Sequence, residues 1–178
     1  LEDNVAGEFN VGLGYQTLKE ANSSQNTAIG YQSGMDVTSG GANTFVGSSS
    51  GLNISTGGNN TAIGDSALAT ATDSSNIVAV GIYAGLAISH ADADGTVAVG
   101  RSALEKATSA IGNTAIGLNA LSENTTGDYN TVVGSVAGSS ASNGTATQFS
   151  GDKNVLVGYA AGYDLTTGPG NVLIGHAA

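Results

Sequence analysis

The side chains best suited to chemistry are few and lie far apart along the chain. The two histidines, His90 and His176, are separated by 86 positions, and there is no cysteine. The segment LAISHADADG at 86–95 places His90 near Asp92 and Asp94, which together offer a cation one imidazole and two carboxylates. A bare D-x-D-G pattern lacks the other spaced oxygen ligands of a calcium loop. We therefore favour a tolerated loop there over a metal site.

A second segment, SSASNGTATQFSGDK at 139–153, combines an aromatic ring with polar groups. Phe149, Asp152 and Lys153 are the candidates for a small sugar-binding platform, and here too we favour a tolerated loop over a binding site. The many glycine stretches resemble G-x-G-x-x-G but no helix is expected after them, which argues against a dinucleotide site. No Ser-His-Asp set can be argued from spacing alone. We expect that the chain is not an enzyme and binds no cofactor. The remaining catalytic alternative is a glycan depolymerase, which needs only two suitably positioned carboxylates.

Composition restricts the partners of the chain. Its 178 residues include 28 glycines, only 10% charged residues and a net charge of −10. Nucleic acid binding needs a stripe of Lys and Arg, so nucleic acid is not an expected partner. No apolar run approaches the ~18–20 residues of a membrane helix, so membrane insertion is not expected either. Small apolar side chains fill little volume, which favours burial shared between stacked units or between chains.

One five-residue block recurs along the whole chain. NTAIG occurs three times, at 26–30, 60–64 and 113–117, among close variants such as NTFVG and NVLVG. The final glycines of the ten blocks are spaced by 16, 17, 17, 17, 19, 17, 17, 24 and 17 residues. They are Gly14, Gly30, Gly47, Gly64, Gly81, Gly100, Gly117, Gly134, Gly158 and Gly175. A fixed short period is the signature of a repeat architecture, here one array over 1–178 with insertions near 86–95 and 139–153.

The block predicts one short strand per repeat. We number its residues 1 to 5, from the asparagine to the glycine; β-branched residues recur at positions 2 and 4, a period of two. A 17-residue unit is too short for a helix pair, and the closing glycine suits a positive-φ corner. The sequence thus predicts an all-β, parallel β-solenoid (β-roll) of about ten 17-residue coils. Asparagine begins eight of the ten blocks, which predicts an amide ladder at one corner.

The middle of the block predicts an interface. If positions 2 and 4 face into the coil, position 3 faces out and forms an apolar stripe, which soluble monomers avoid. We therefore expect a parallel homotrimer whose stripes meet on one axis. The interface column is Ala28, Phe45, Ala62, Ala79, Ala98, Ala115, Val132, Leu156 and Leu173. The alternative is that position 3 faces in and threonine faces water, which would also expose Ile and Val at position 4.

The repeat resembles two related families. TVAVG at 96–100 is similar to the strand motif in the β-roll head of trimeric autotransporter adhesins. NTAIGDSAL at 60–68 and NTAIGLNALSENTTGDYNTVVG at 113–134 resemble more closely the tandem repeats of phage and bacterial tail-fibre proteins. The resemblance covers the chain from about residue 10 onward. It implies a homotrimeric, extracellular fibre.

The expected role is a structural and adhesive segment of such a fibre. A virion tail fibre that presents a surface to a host-cell glycan or protein is the first expectation, and the head of a bacterial surface adhesin is the alternative. Ice binding is a third possibility, from another functional class. It needs an array of outward-facing threonines, and threonine recurs at position 2 of the block. The facing assigned above turns the threonines inward and argues against it.

Overall fold

The computed structural model describes residues 7–89, 93–139 and 149–178. Within these ranges it contains ten three-residue strands and no α-helix. The strands are β1 (Val11–Leu13), β2 (Thr27–Ile29), β3 (Thr44–Val46), β4 (Thr61–Ile63), β5 (Val78–Val80), β6 (Val97–Val99), β7 (Thr114–Ile116), β8 (Thr131–Val133), β9 (Val155–Val157) and β10 (Val172–Ile174). Each strand comprises positions 2 to 4 of one block.

The ten strands form one parallel sheet in sequence order. Every pair joins equal block positions, as in Thr44↔Thr61 and Phe45↔Ala62. The longer spacings keep this register, since Val78 pairs with Val97 and Thr131 pairs with Val155. The two longer spacings therefore leave the strand register unchanged, and the predicted parallel β-solenoid is confirmed.

The block glycines are required by the close approach of successive coils. Gly64 has a φ of 134°, and a β-carbon built on it would lie 2.5 Å from the carbonyl oxygen of Gly81 in the next coil. Any side chain would therefore collide with backbone as well as strain the chain. The same contact recurs along the column, which explains why the block always ends in glycine.

The asparagine ladder is also present. Asn43 Oδ1 accepts from the backbone N–H of Asn60 at 2.9 Å, and Asn43 Nδ2 donates to Asn26 Oδ1 at 3.1 Å and to the Gly57 carbonyl at 3.0 Å. The side chain thus joins three successive coils while it is almost fully buried. At Ile77, which replaces the asparagine, the backbone N–H still donates to Asn60 Oδ1 at 3.0 Å.

The core is a single narrow column inside the coil. Numbering on past the glycine, it is built from positions 3, 8, 9 and 12, as in Ala62, Ala67, Leu68 and Ala71, all without exposed surface. Position 9 has a left-handed backbone in all nine coils that contain it, whether the residue is Leu68 at φ 52° or Gly51 at φ 59°. The turns also bond from coil to coil, so each coil is held to its neighbour on more than the strand side.

Candidate interaction surface

The outer surface of the sheet, here called the strand face, is formed by positions 2 and 4. Ile63 and Ile116 are each 40% exposed, whereas Ala62 and Ala115 beside them have no exposed surface. The expected facing of the strands is therefore wrong. The three-residue strand lies between two corners, and its central side chain is the one that points into the coil.

The expected interface column consequently lies in the core of its own chain. Its members pack against positions 8, 9 and 12, and eight of them are fully buried without any partner chain, while Leu173 in the last coil is partly buried. They are Ala28, Phe45, Ala62, Ala79, Ala98, Ala115, Val132, Leu156 and Leu173. Small side chains predominate because the coil is narrow. An apolar column is expected both at an interface and in a core, so residue type alone could not tell which of the two position 3 forms.

The strand face carries most of the exposed hydrophobic surface of the described residues. Eighteen large hydrophobic side chains are exposed among all the described residues, and sixteen of them lie on the strand face or directly beside it. Three are at position 2, six at position 4, five at position 6 and two immediately before the block. The remaining two are Tyr83 and Tyr163. Soluble proteins rarely expose so continuous an apolar band unless something binds it.

Aromatic stacks border the strand face at position 6. The rings of Tyr15 and Tyr31 stack at 5.5 Å with an interplanar angle of 14°. Near the other end, Tyr159 stacks on His176 at 5.1 Å. These rings follow the glycine corner and lie one coil apart, so the pairs are a direct consequence of the repeat. His176 belongs to this surface column.

The proposed sugar platform is not formed as expected. Phe149 is only 1% exposed and takes position 12 of its coil, where it bridges to Asn124. Its ring fills the core and cannot receive a ligand. Asp152 is exposed, and its Oδ1 accepts from the backbone N–H of Asp128 at 2.9 Å; Lys153 is exposed beside it. Sequence alone did not indicate that Phe149 lies in the core.

The metal candidates fall partly outside the described residues. His90 and Asp92 lie in the undescribed segment 90–92. Asp94 is described, and its carboxylate accepts from the backbone N–H of Ser75 at 2.7 Å and from Asn76 Nδ2 at 3.3 Å. Asp94 thus ties one coil to the previous one. Among the described residues no group of three metal-ligating side chains occurs.

Charged contacts lie on the turns, away from the strands. Lys106 Nζ pairs with Glu123 Oε2 at 2.7 Å between adjacent coils. Burial raises the pKa of Asp36, the nearby Glu20 carboxylate raises it further, and Lys19 opposes the shift. Glu20 and Asp36 occupy the same position of neighbouring coils, which places like charges one above the other.

Sequence inspection did not reveal a groove of about 240 Å³ on the turns of the later coils. It is lined by Glu105, Asn119, Ser122, Glu123, Ser139 and Tyr163, with Val136 on one side. These residues come from four coils and are up to 58 positions apart. The signal that could have located it is the pair of serines at position 10 of successive coils.

The fold and surface define the class of protein: an all-β parallel β-solenoid of ten strands with one uncharged, largely apolar sheet face. Across the described residues no helix is long and apolar enough to cross a membrane. No family model, curated protein or solved structure matches the chain.

Proposed function

We propose that the chain is a structural and adhesive segment of an extracellular homotrimeric fibre, in which three copies meet through their strand faces. The observation that carries the proposal is the concentration of sixteen of the eighteen exposed large hydrophobic side chains on and beside that face. The interface is therefore assigned to positions 2 and 4 in place of the buried position 3. The role is one of architecture and attachment, without catalysis.

The size of the strand face suits a stable interface. Ten strands at ~4.8 Å spacing give a length of about 43 Å. With both borders the face is roughly 15–20 Å wide, so that it offers on the order of 800 Å², the area that one partner buries in a standard interface. The contact would extend over the whole length of the array, as a fibre requires.

The lack of charge on the strand face supports association of acidic chains. Positions 2 and 4 carry only Thr, Val, Ile and Leu in all ten blocks. The charged side chains of the described residues lie on the turns and borders. At positions 2 and 4 three chains therefore approach one another without desolvating carboxylates, which would oppose association. The position-6 border carries one charge of each sign, Asp65 and Arg101.

A virion tail fibre is the first assignment within this proposal, because the amino-acid sequence of the repeat resembles that of tail-fibre proteins more closely than that of the adhesin heads. The head of a bacterial trimeric adhesin is the alternative and needs the same interface. In both, the turns that remain outside the trimer present the surface to a host-cell glycan or protein.

The native mass in dilute solution tests the proposal. Light scattering on a size-exclusion column is expected to give three times the subunit mass of 17.3 kDa. Ile116→Glu places a charge on the strand face and should yield a folded monomer. Thr126→Glu, at an exposed turn position of the same coil, is the matched control and should remain trimeric. A wild-type monomer would overturn the proposal.

Ice binding is a second candidate, favoured by one specific observation. The threonines of position 2 face outward, so Thr27, Thr44 and Thr61 form a regular row on successive strands, and Thr114 and Thr131 form another. The rows are interrupted by valine at Val78 and Val97. Thermal hysteresis from a monomer, lost in Thr44→Lys, would support this function over the fibre, since one face cannot serve both.

A further inference from the structure

We infer that the groove on the turns of the later coils is a binding subsite for a neutral saccharide unit. This deepens the proposed function and rests on it, because it names the class of host-cell receptor that the fibre would hold. The groove volume of about 240 Å³ is slightly below the range for drug-sized ligands. It therefore suits a single sugar ring with its hydroxyl groups.

The groove exists because two small residues follow each other at position 10. Ser122 and Ser139 occupy this position in adjacent coils, between the larger Glu105 of the coil before and Tyr163 of the coil after. Apart from the single Ala69, position 10 of the other coils holds longer side chains, including Leu52 and Leu86. The two serines form a floor with walls at both ends along the solenoid axis.

The floor leaves hydrogen-bonding capacity for an occupant. Ser122 and Ser139 are 8% and 6% exposed, and their hydroxyl oxygens lie 3.2 Å apart. Two hydroxyl groups carry two protons, and the hydrogen bond between them uses one. Among the residues that the structure describes, the two hydroxyl groups bond each other, which leaves the second proton and the remaining lone pairs for a ligand. A sugar hydroxyl, which both donates and accepts, complements such a pair.

The walls distinguish a neutral sugar from other ligands. Glu123 Oε2 accepts from Lys106 Nζ at 2.7 Å, so this carboxylate is fixed, and its other oxygen can accept from a sugar hydroxyl. Glu105 adds a second carboxylate and Asn119 an amide that both donates and accepts. With two carboxylates against one lysine, an anionic sugar would be repelled.

Tyr163 supplies the apolar part of the site. Its side chain is 42% exposed at one end of the groove. Tyrosine combines a flat apolar ring with a hydroxyl group, and the C–H face of a sugar packs on such a ring. In a trimer the site occurs three times, so weak single-site binding is strengthened by multivalency at a cell surface.

The test is direct binding to the full-length chain. The probes are the methyl glycosides of glucose, galactose, mannose and N-acetylglucosamine, followed by saturation-transfer NMR and calorimetry, with N-acetylneuraminic acid as the anionic comparator. At least one neutral glycoside is expected to bind with a Kd of about 1 mM, and the anionic sugar is expected not to bind. Absence of binding by all four glycosides would overturn the inference.

Two variants locate the site. Ser122→Leu fills the groove with a side chain that position 10 already accommodates at Leu52 and Leu86, and it should weaken binding about tenfold or more with little change in Tm. Ala69→Leu makes the matching change at position 10 of a distant coil and should leave binding intact. Tyr163→Ala should weaken binding as well. Unchanged binding by Ser122→Leu would place the saccharide elsewhere.

The outcomes separate this inference from the fibre proposal. A trimer that binds none of the glycosides retains the proposed assembly and refutes the subsite. A monomer that binds a glycoside in the groove refutes the trimer and retains the subsite.

Discussion

Phe45 and Gly51 fit together inside one coil. A β-carbon built on Gly51 would lie 2.6 Å from Cδ1 of the Phe45 ring, so the absence of a side chain at position 9 makes room for a large one at position 3. Three of the five coils with alanine at position 3 make the opposite choice, as in Ala62 with Leu68, whereas the other two have glycine at position 9. Leu156 with Gly162 repeats the first arrangement. In these coils the core is filled by pairs of compensating volume, and the space above Gly34 is taken by the Phe45 ring of the next coil.

Exchanging the two volumes tests this compensation. Phe45→Ala alone removes a buried ring and should cost about 3–5 kcal/mol of unfolding free energy. Gly51→Leu alone overpacks the core and should cost about 1–3 kcal/mol or more. The double variant reproduces the pair found at Ala62 and Leu68 and should recover much of the loss. A double-mutant cycle in denaturant measures the coupling, and purely additive losses would contradict the pairing.

The inward direction of position 3 predicts different outcomes for adjacent residues. Ala115→Glu buries an unpaired carboxylate in the core and should abolish cooperative unfolding or lower Tm strongly at every protein concentration. Ile116→Glu, one residue further, should keep the fold and act only on association. Circular dichroism melting of both variants makes the comparison. A stable, folded Ala115→Glu chain would show that the assigned facing is wrong.

The asparagine ladder should contribute strongly to stability. Asn43→Leu leaves the N–H of Asn60 and the carbonyl of Gly57 buried without their side-chain partner. Each such group costs about 1–3 kcal/mol. Asn53→Leu, at a half-exposed turn position, is the control and should have a small effect. Denaturant titration checks both, and equal stability of the two variants would refute a structural role for the ladder.

Val136 offers a stabilising substitution. It has a φ of 52°, in the left-handed region, where the next coil back has Asn119 at φ 54°. A β-branched side chain is strained there, whereas asparagine tolerates the conformation. Val136→Asn should therefore raise the unfolding free energy by roughly 1 kcal/mol. Ser135→Asn, next to it, should change little, and a lower Tm for Val136→Asn would contradict the strain.

Asp36 should make stability depend on acid pH. Burial and Glu20 raise its pKa in the folded chain above the ordinary value of 3.8. The folded state therefore binds this proton more tightly than the unfolded state, and its contribution to stability decreases as pH rises from 3.8 through the folded pKa. Asp36→Asn should stabilise the chain at neutral pH and give no gain below that window. A pH series of denaturant titrations tests the sign.

Local regularity made much of the fold predictable from sequence. The period of the block glycines, the β-branched alternation and the repeated asparagine predicted one short strand per coil, parallel pairing and an amide ladder, and all three are present. These features depend on contacts between equal positions of adjacent repeats. In a repeat array, the contact partner of a residue is therefore the residue at the same position of the next repeat.

Which side chains of the strand face the core could not be derived in the same way. Positions 2, 3 and 4 are all apolar or threonine. Alternation therefore places positions 2 and 4 on one side of the strand and position 3 on the other, but it does not indicate which side faces the core. The choice depends on the turns, which send positions 8, 9 and 12 into the coil beside Phe45 and its equivalents. The same lack of local signal hid the burial of Phe149 after the long insertion.

The sequence by itself determined the solenoid, its register and its corners, because these follow from residue types repeated at a constant spacing. Only the tertiary structure decided which side of the sheet is core, that Ile63 and Thr61 face outward, and that Ser122 and Ser139 form the floor of a groove. The reason is physical: inside and outside are defined by how the chain closes around itself, and closure is a property of the whole coil.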